Sequence, residues 1–161
     1  MTDTDDRQKL VELMRDMPIA MLTTLGATGP RSVPMARQEV DADAELWFIS
    51  ARDTDHVRAI QQEPHVVLTF SSRDAWVALT GQAEVVDDDA RLAELWNTFA
   101  EAWLPGGPED PQAVLLRVDV EQAEYWDSPG GKIASLVSFA KTRLTGETYD
   151  AEHGAVEQSG G

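Results

Sequence analysis

The apolar runs of this chain are short, and turn residues separate them at close intervals. Ile19 to Leu25, Arg31 to Val40 and Leu46 to Ile49 follow one another across only Gly26-Ala27-Thr28-Gly29-Pro30 and Asp41 to Ala44. His65 to Ser71 and Ala75 to Val86 repeat the arrangement across Ser72-Arg73-Asp74. Gly, Pro, Asp and Ser at such points turn the chain sharply, and strands joined by hairpins pair antiparallel. Ala113 to Val120 is a further strand, continued by an extended stretch from Glu121 to Asp127. About six strands result, and closing them into a small barrel removes their free edges. Pro34 has no N–H, so its strand is bulged or open-edged there. Gly81 marks a bend or bulge in the long strand Ala75 to Val86.

Helical patterns are inserted between the strands. Leu10, Leu13, Met14 and Met17 form an apolar stripe along Asp5 to Met17, which Pro18 stops. A short helix is expected from Thr54 to Gln62. Asp87-Asp88-Asp89 caps another from Ala90 to Trp103, with Leu92, Leu95, Trp96, Phe99 and Trp103 on one side. Ser128-Pro129-Gly130-Gly131 breaks the chain before a last amphipathic helix, Ile133 to Leu144. The expected class is α+β on an antiparallel barrel. Residues 1–146 form one domain, and residues 147–161 are a flexible acidic tail.

Charge and composition narrow the function. The 161 residues carry a net charge of −16. This argues against broad contact with nucleic acid or anionic membrane, while leaving room for one local phosphate pocket. There is no cysteine, hence no disulfide framework or thiol chemistry. No apolar run reaches membrane-spanning length, and the acidic start lacks a signal-peptide pattern, so a cytoplasmic location is expected. His65 and His153 have no partner at ligand spacing, so no metal site is expected.

Leu46 to Ile60 is the stretch with chemistry in it. The run Leu46 to Ile49 reads as a buried strand ending at Ser50, and Asp53 or Thr54 can cap the helix that follows. That turn gathers backbone N–H groups, a helix dipole, the hydroxyls of Ser50 and Thr54 and the imidazole of His56, a combination that suits a phosphate. Trp47 and Trp96 read as core.

Further stretches follow in a recognisable order. Arg31-Ser32-Val33-Pro34-Met35-Ala36 and the Leu46 segment precede Leu95-Trp96-Asn97, Ala102-Trp103-Leu104-Pro105-Gly106-Gly107-Pro108 and Leu115-Leu116-Arg117-Val118. Ala123-Glu124-Tyr125-Trp126-Asp127-Ser128-Pro129-Gly130-Gly131-Lys132 closes the series. From Leu10 to Gly146 the chain resembles the general stress protein 26 branch of the pyridoxamine 5′-phosphate oxidase-like proteins. The resemblance implies a split β-barrel, a homodimer, and FMN held in a cleft between the subunits. It sets Arg31 at the phosphate and the backbone of Ser32 and Val33 against the ring system, with Pro34 and Met35 nearby. It sets Ile49 and Ser50 against the ring and ribityl chain. Thr54, Asp55 and His56 match a Ser-Arg-Lys stretch that grips the phosphate in the oxidases. Trp76 matches a glutamine beside the flavin, and Trp126 a tryptophan that helps cover it. Trp103, before Pro-Gly-Gly-Pro, suits a lid over a neighbour's pocket.

Two departures from the family pattern matter. Asp55 and His56 replace an arginine and a lysine, which lowers the positive charge at the phosphate. The oxidases' C-terminal Arg-x-His-x-Arg motif is replaced by Ser128-Pro129-Gly130-Gly131-Lys132, which argues against oxidation of pyridoxamine phosphate. The expected function is that of an FMN-dependent oxidoreductase, in which no side chain is needed as a proton donor for hydride transfer. A non-catalytic flavin-binding protein of a stress response stays open as an alternative. So does a split-barrel protein using FAD or a deazaflavin.

Overall fold

Six strands close on themselves in the computed structural model, which describes residues 3–40, 45–127, 135–140 and 148–151. β1 (Ile19–Gly26) pairs with β2 (Gly29–Val40) in register from Gly26↔Gly29 to Ile19↔Ala36. Gly29 makes this tight hairpin possible, because its φ of 108° lies where residues with a Cβ are strained. β2 pairs with β3 (Glu45–Ala51), and β1 pairs on its other side with β4 (His65–Ser71). β5 (Ala75–Val86) follows β4, and β6 (Ala113–Asp127) lies along the whole of β5. The ring shuts where β6 returns to β3, from Glu45↔Asp119 to Ala51↔Ala113. Every pairing is antiparallel, so this is the expected closed barrel of six strands.

The barrel interior follows from alternation. Val66, Leu68 and Phe70 of β4 and Val77 and Leu79 of β5 point inward and are buried, as are Ala20 and Leu22 of β1. Burying each large side chain stabilises by about 1.5–3 kcal/mol. α1 (Asp3–Arg15) adds Leu10 and Met14 to the same core. β3 differs: Leu46, Trp47 and Phe48 are all buried, because a second cluster covers its outer face. There Trp47 and Leu115 meet Leu92 of α3 (Asp89–Leu95) and Leu104, which follows α4 (Thr98–Trp103). The unbroken apolar run at Leu46 is thus a strand packed on both faces.

The single helix expected from Ala90 to Trp103 is two. Asp88 caps α3, its side chain accepting from the Arg91 N–H. Trp96, at ψ 138°, leaves the helix, and Asn97 starts α4 by accepting from the Ala100 N–H at 3.0 Å. An asparagine that can cap competes with continuing the helix. The last helix, expected over Ile133–Leu144, is also corrected: Ser135–Ala140 forms β7, paired with Gln122–Asp127 of β6. β6 has left β3 by this point, and its free backbone groups favour a strand over a local helical pattern. Thr148–Ala151, expected in the tail, forms β8 against β7. The break Ser128-Pro129-Gly130-Gly131 with Lys132, and residues 152–161 of the tail, lie outside the described residues. No described helix is long and apolar enough to cross a membrane.

Pro34 and Gly81 behave as expected. β2 pairs with β3 only from Arg37 onward, so β2 has an open edge at Pro34. The β5–β6 register shifts between Thr80 and Gly81. A Cβ at Gly81 would lie 2.2 Å from the Asp119 carbonyl oxygen, so only glycine fits without movement.

Candidate split-barrel cavity

The site begins where β3 runs into α2 (Asp55–Gln62). Thr54 caps the helix: its Oγ1 donates to the Ala51 carbonyl at 2.9 Å and accepts from the Val57 N–H at 3.4 Å. His56 Nε2 lies 2.7 Å from Ser50 Oγ and 3.3 Å from Thr54 Oγ1. Ser50 is buried, His56 half-buried. Burial holds the His56 pKa below its usual value; Asp55 pulls it up and Arg31 pushes it down.

Next to this junction the barrel wall opens. The register Arg37↔Phe48, continued, would pair Ala36 with Ile49, Met35 with Ser50 and Pro34 with Ala51. Instead the strands part, and all six residues line a cavity of about 390 Å³. Thr54 and His56 form part of its lining, and α4 contributes Phe99 and Trp103. Trp103 is 75% exposed, a large ring standing at the cavity without protein cover. The lining is mainly apolar, with the hydroxyls and imidazole together at the β3–α2 junction. Such a pocket takes a flat apolar ligand with a polar edge.

Of the residues expected at the site, Pro34, Met35, Ile49, Ser50, Thr54, His56 and Trp103 meet here. The others do not. The Val33 side chain packs against the barrel core, and Ser32 Oγ is 2.6 Å from Thr23 Oγ1. Arg31 lines a separate cleft with Asp55 and Arg58. Its Nη1 is 2.7 Å from Asp55 Oδ2, while Arg58 Nη2 is 2.5 Å from Asp55 Oδ1 and Arg58 Nη1 is 2.5 Å from Asp53 Oδ1. Trp76 and Trp126, register partners on β5 and β6, line a third and wider cleft with Met21 and Phe70. Ile19 borders both that cleft and the first cavity.

Gln38, Ile19 and Phe99 line the cavity and were not foreseen there. Phe99 and Trp103 lie four residues apart on the apolar side expected of a single helix. What redirects them is the new start at Asn97, whose Nδ2 also donates to Gln38 Oε1.

A closed antiparallel barrel whose wall parts around a ligand-sized cavity defines a split-barrel protein. Comparison with known proteins narrows the class. The chain belongs to the pyridoxamine 5′-phosphate oxidase-like family, whose model matches residues 5–150. It is similar to general stress protein 26 of Bacillus subtilis, with 22% identity over 126 residues, covering 75% of this chain and 88% of that one. It is similar to the structure of a general stress FMN/FAD binding protein from Xanthomonas citri, at 27% identity and a TM-score of 0.67, covering 76% of this chain and 88% of the other. A protein related to general stress protein 26 from Clostridium acetobutylicum shares the fold at a TM-score of 0.73 and 24% identity, over 88% of this chain and 99% of that one.

Proposed function

We propose that this chain binds FMN in the split between β2 and β3 and acts as a cytoplasmic flavin-dependent oxidoreductase on a small molecule. The observation that carries the reading is the meeting of Pro34, Met35, Ile49, Ser50, Thr54 and His56 at one cavity. The apolar walls suit a flavin ring, and Ser50 and His56 suit a polar ring edge or ribityl hydroxyls. His56, kept neutral by burial, takes part in a hydrogen bond without adding charge. Trp103 and Phe99 exclude water from the ring. FMN, when bound, supplies the hydride acceptance and return; the protein supplies orientation and a dry pocket. The fit is weaker at the phosphate, because among the described residues no Arg or Lys lines the cavity and Arg31 would have to supply the charge.

The same reading includes a homodimer. Trp76 and Trp126 line a different cleft from the cavity, and a second copy of the chain would be the means of bringing them against a flavin. The name of the Xanthomonas citri relative, an FMN/FAD binding protein, supports the choice of flavin.

The freshly purified protein should show a flavin absorption spectrum, and the released cofactor should have the mass of FMN. NAD(P)H consumption with a panel of acceptors, at FMN saturation, should then exceed that of free FMN. Binding without consumption would favour a flavin store. A different mass would move the assignment to FAD or a deazaflavin. Failure to bind any flavin would remove the reading.

A further inference from the structure

Beside the polar end of the cavity, four exposed charges form a chain: Arg31, Asp55, Arg58, Asp53. Both oxygens of Asp55 are engaged, Oδ2 by Arg31 and Oδ1 by Arg58. Two guanidinium groups and two carboxylates leave the cluster with no net charge. Arg58 first, and Arg31 after it, hold the Asp55 carboxyl below its usual range, so it is anionic at every pH near neutrality. Asp55 also stands in sequence between Thr54 and His56, both part of the cavity lining.

A phosphate monoester carries about −1.5 to −2 near pH 7. To reach Arg31 it must displace the Asp55 carboxylate or share the cation with it. The first breaks an existing charge-assisted pair, and the second sets like charges side by side; each weakens the gain from the phosphate. A ligand ending in a neutral hydroxyl meets neither cost.

We infer that Asp55 is a specificity residue that occupies Arg31 in place of the ligand's anionic end, so that the site discriminates weakly between phosphorylated and unphosphorylated flavins. This rests on the flavin reading above and adds to it the class of chain end the site accepts.

The test is the ratio of riboflavin to FMN dissociation constants, measured by fluorescence quenching at fixed low salt. Asp55→Asn keeps the shape and removes the charge. It should tighten FMN by about tenfold while riboflavin changes by less than about twofold. Asp53→Asn removes the same charge from Arg58 but touches no part of Arg31, and should move the ratio by less than about twofold. In an Arg31→Ala background, Asp55→Asn should lose most of its effect, since the two residues are coupled through one contact. An unchanged ratio in Asp55→Asn, or an equal rise in Asp53→Asn, would overturn the assignment. Riboflavin binding by the unmodified protein reports on the ring cavity without involving Arg31. If it binds and the ratio stays fixed, only the role of Asp55 fails. If neither flavin binds, the flavin reading fails and this one with it.

Discussion

Three influences meet on the charge of His56. Burial disfavours the imidazolium and is the largest; Asp55 favours it and Arg31 opposes it, and the balance sets the pKa below 6.5. In the unfolded chain the imidazole returns to about 6.5, so that state takes up the proton first as pH falls. The contribution of neutral His56 to stability is complete above about pH 6.5 and is lost as pH falls through the folded-state value. His56→Gln keeps hydrogen-bonding atoms and does not titrate. Between about pH 7.5 and about pH 5.5, the urea midpoint should fall further for the unaltered protein than for this variant. Equal falls would mean that His56 charges freely in the fold. Ser50, Thr54 and His56 were legible as neighbours because a strand end and a helix cap are local patterns. The neutral state of His56 was not, since burial depends on residues far apart in sequence. Nor was the Arg31–Asp55 contact, which joins a strand to a helix across 24 positions.

Between elements, Gly81 closely approaches the backbone of β6. A methyl there would lie 2.2 Å from the Asp119 carbonyl oxygen, on backbone that cannot swing aside. Gly81→Ala should lower the unfolding free energy by about 1–3 kcal/mol, as overpacking does elsewhere. Urea unfolding measures it, and an unchanged value would mean that the two strands slide at the bulge without cost. The bend or bulge at Gly81 was readable, and so were the six barrel strands, because hairpin turns and alternation are local. Two elements were not. The stripe Leu92 to Trp103 has helical spacing throughout, and the pattern hides the cap at Asn97 that divides it. Ser135–Ala140 is drawn into a strand by the outer edge of β6, and no periodicity within that segment records a partner.

At the scale of the molecule, charge opposes assembly and apolar surface favours it. Ile19, Met21 and Trp76 are each about two-fifths exposed on β1 and β5, and burial of such a face drives association. Two copies at −16 each would total −32, and their repulsion is screened by salt. Sedimentation equilibrium at micromolar concentration should therefore show a dimer that tightens as salt is raised. A monomer at both low and high salt, with full flavin binding, would remove the shared cleft. The sequence made the barrel legible more fully than the site. One copy presents the expected residues on three separate surfaces, and patterns along a chain do not say which surfaces a second copy brings together. The parting of β2 from β3 has a consequence of its own. The cavity is a piece of missing sheet: past Arg37 the wall lacks three residue pairs that its own register would have made. Whatever binds there stands in for those pairs, so filling the site and sealing the barrel draw on the same stretch of backbone.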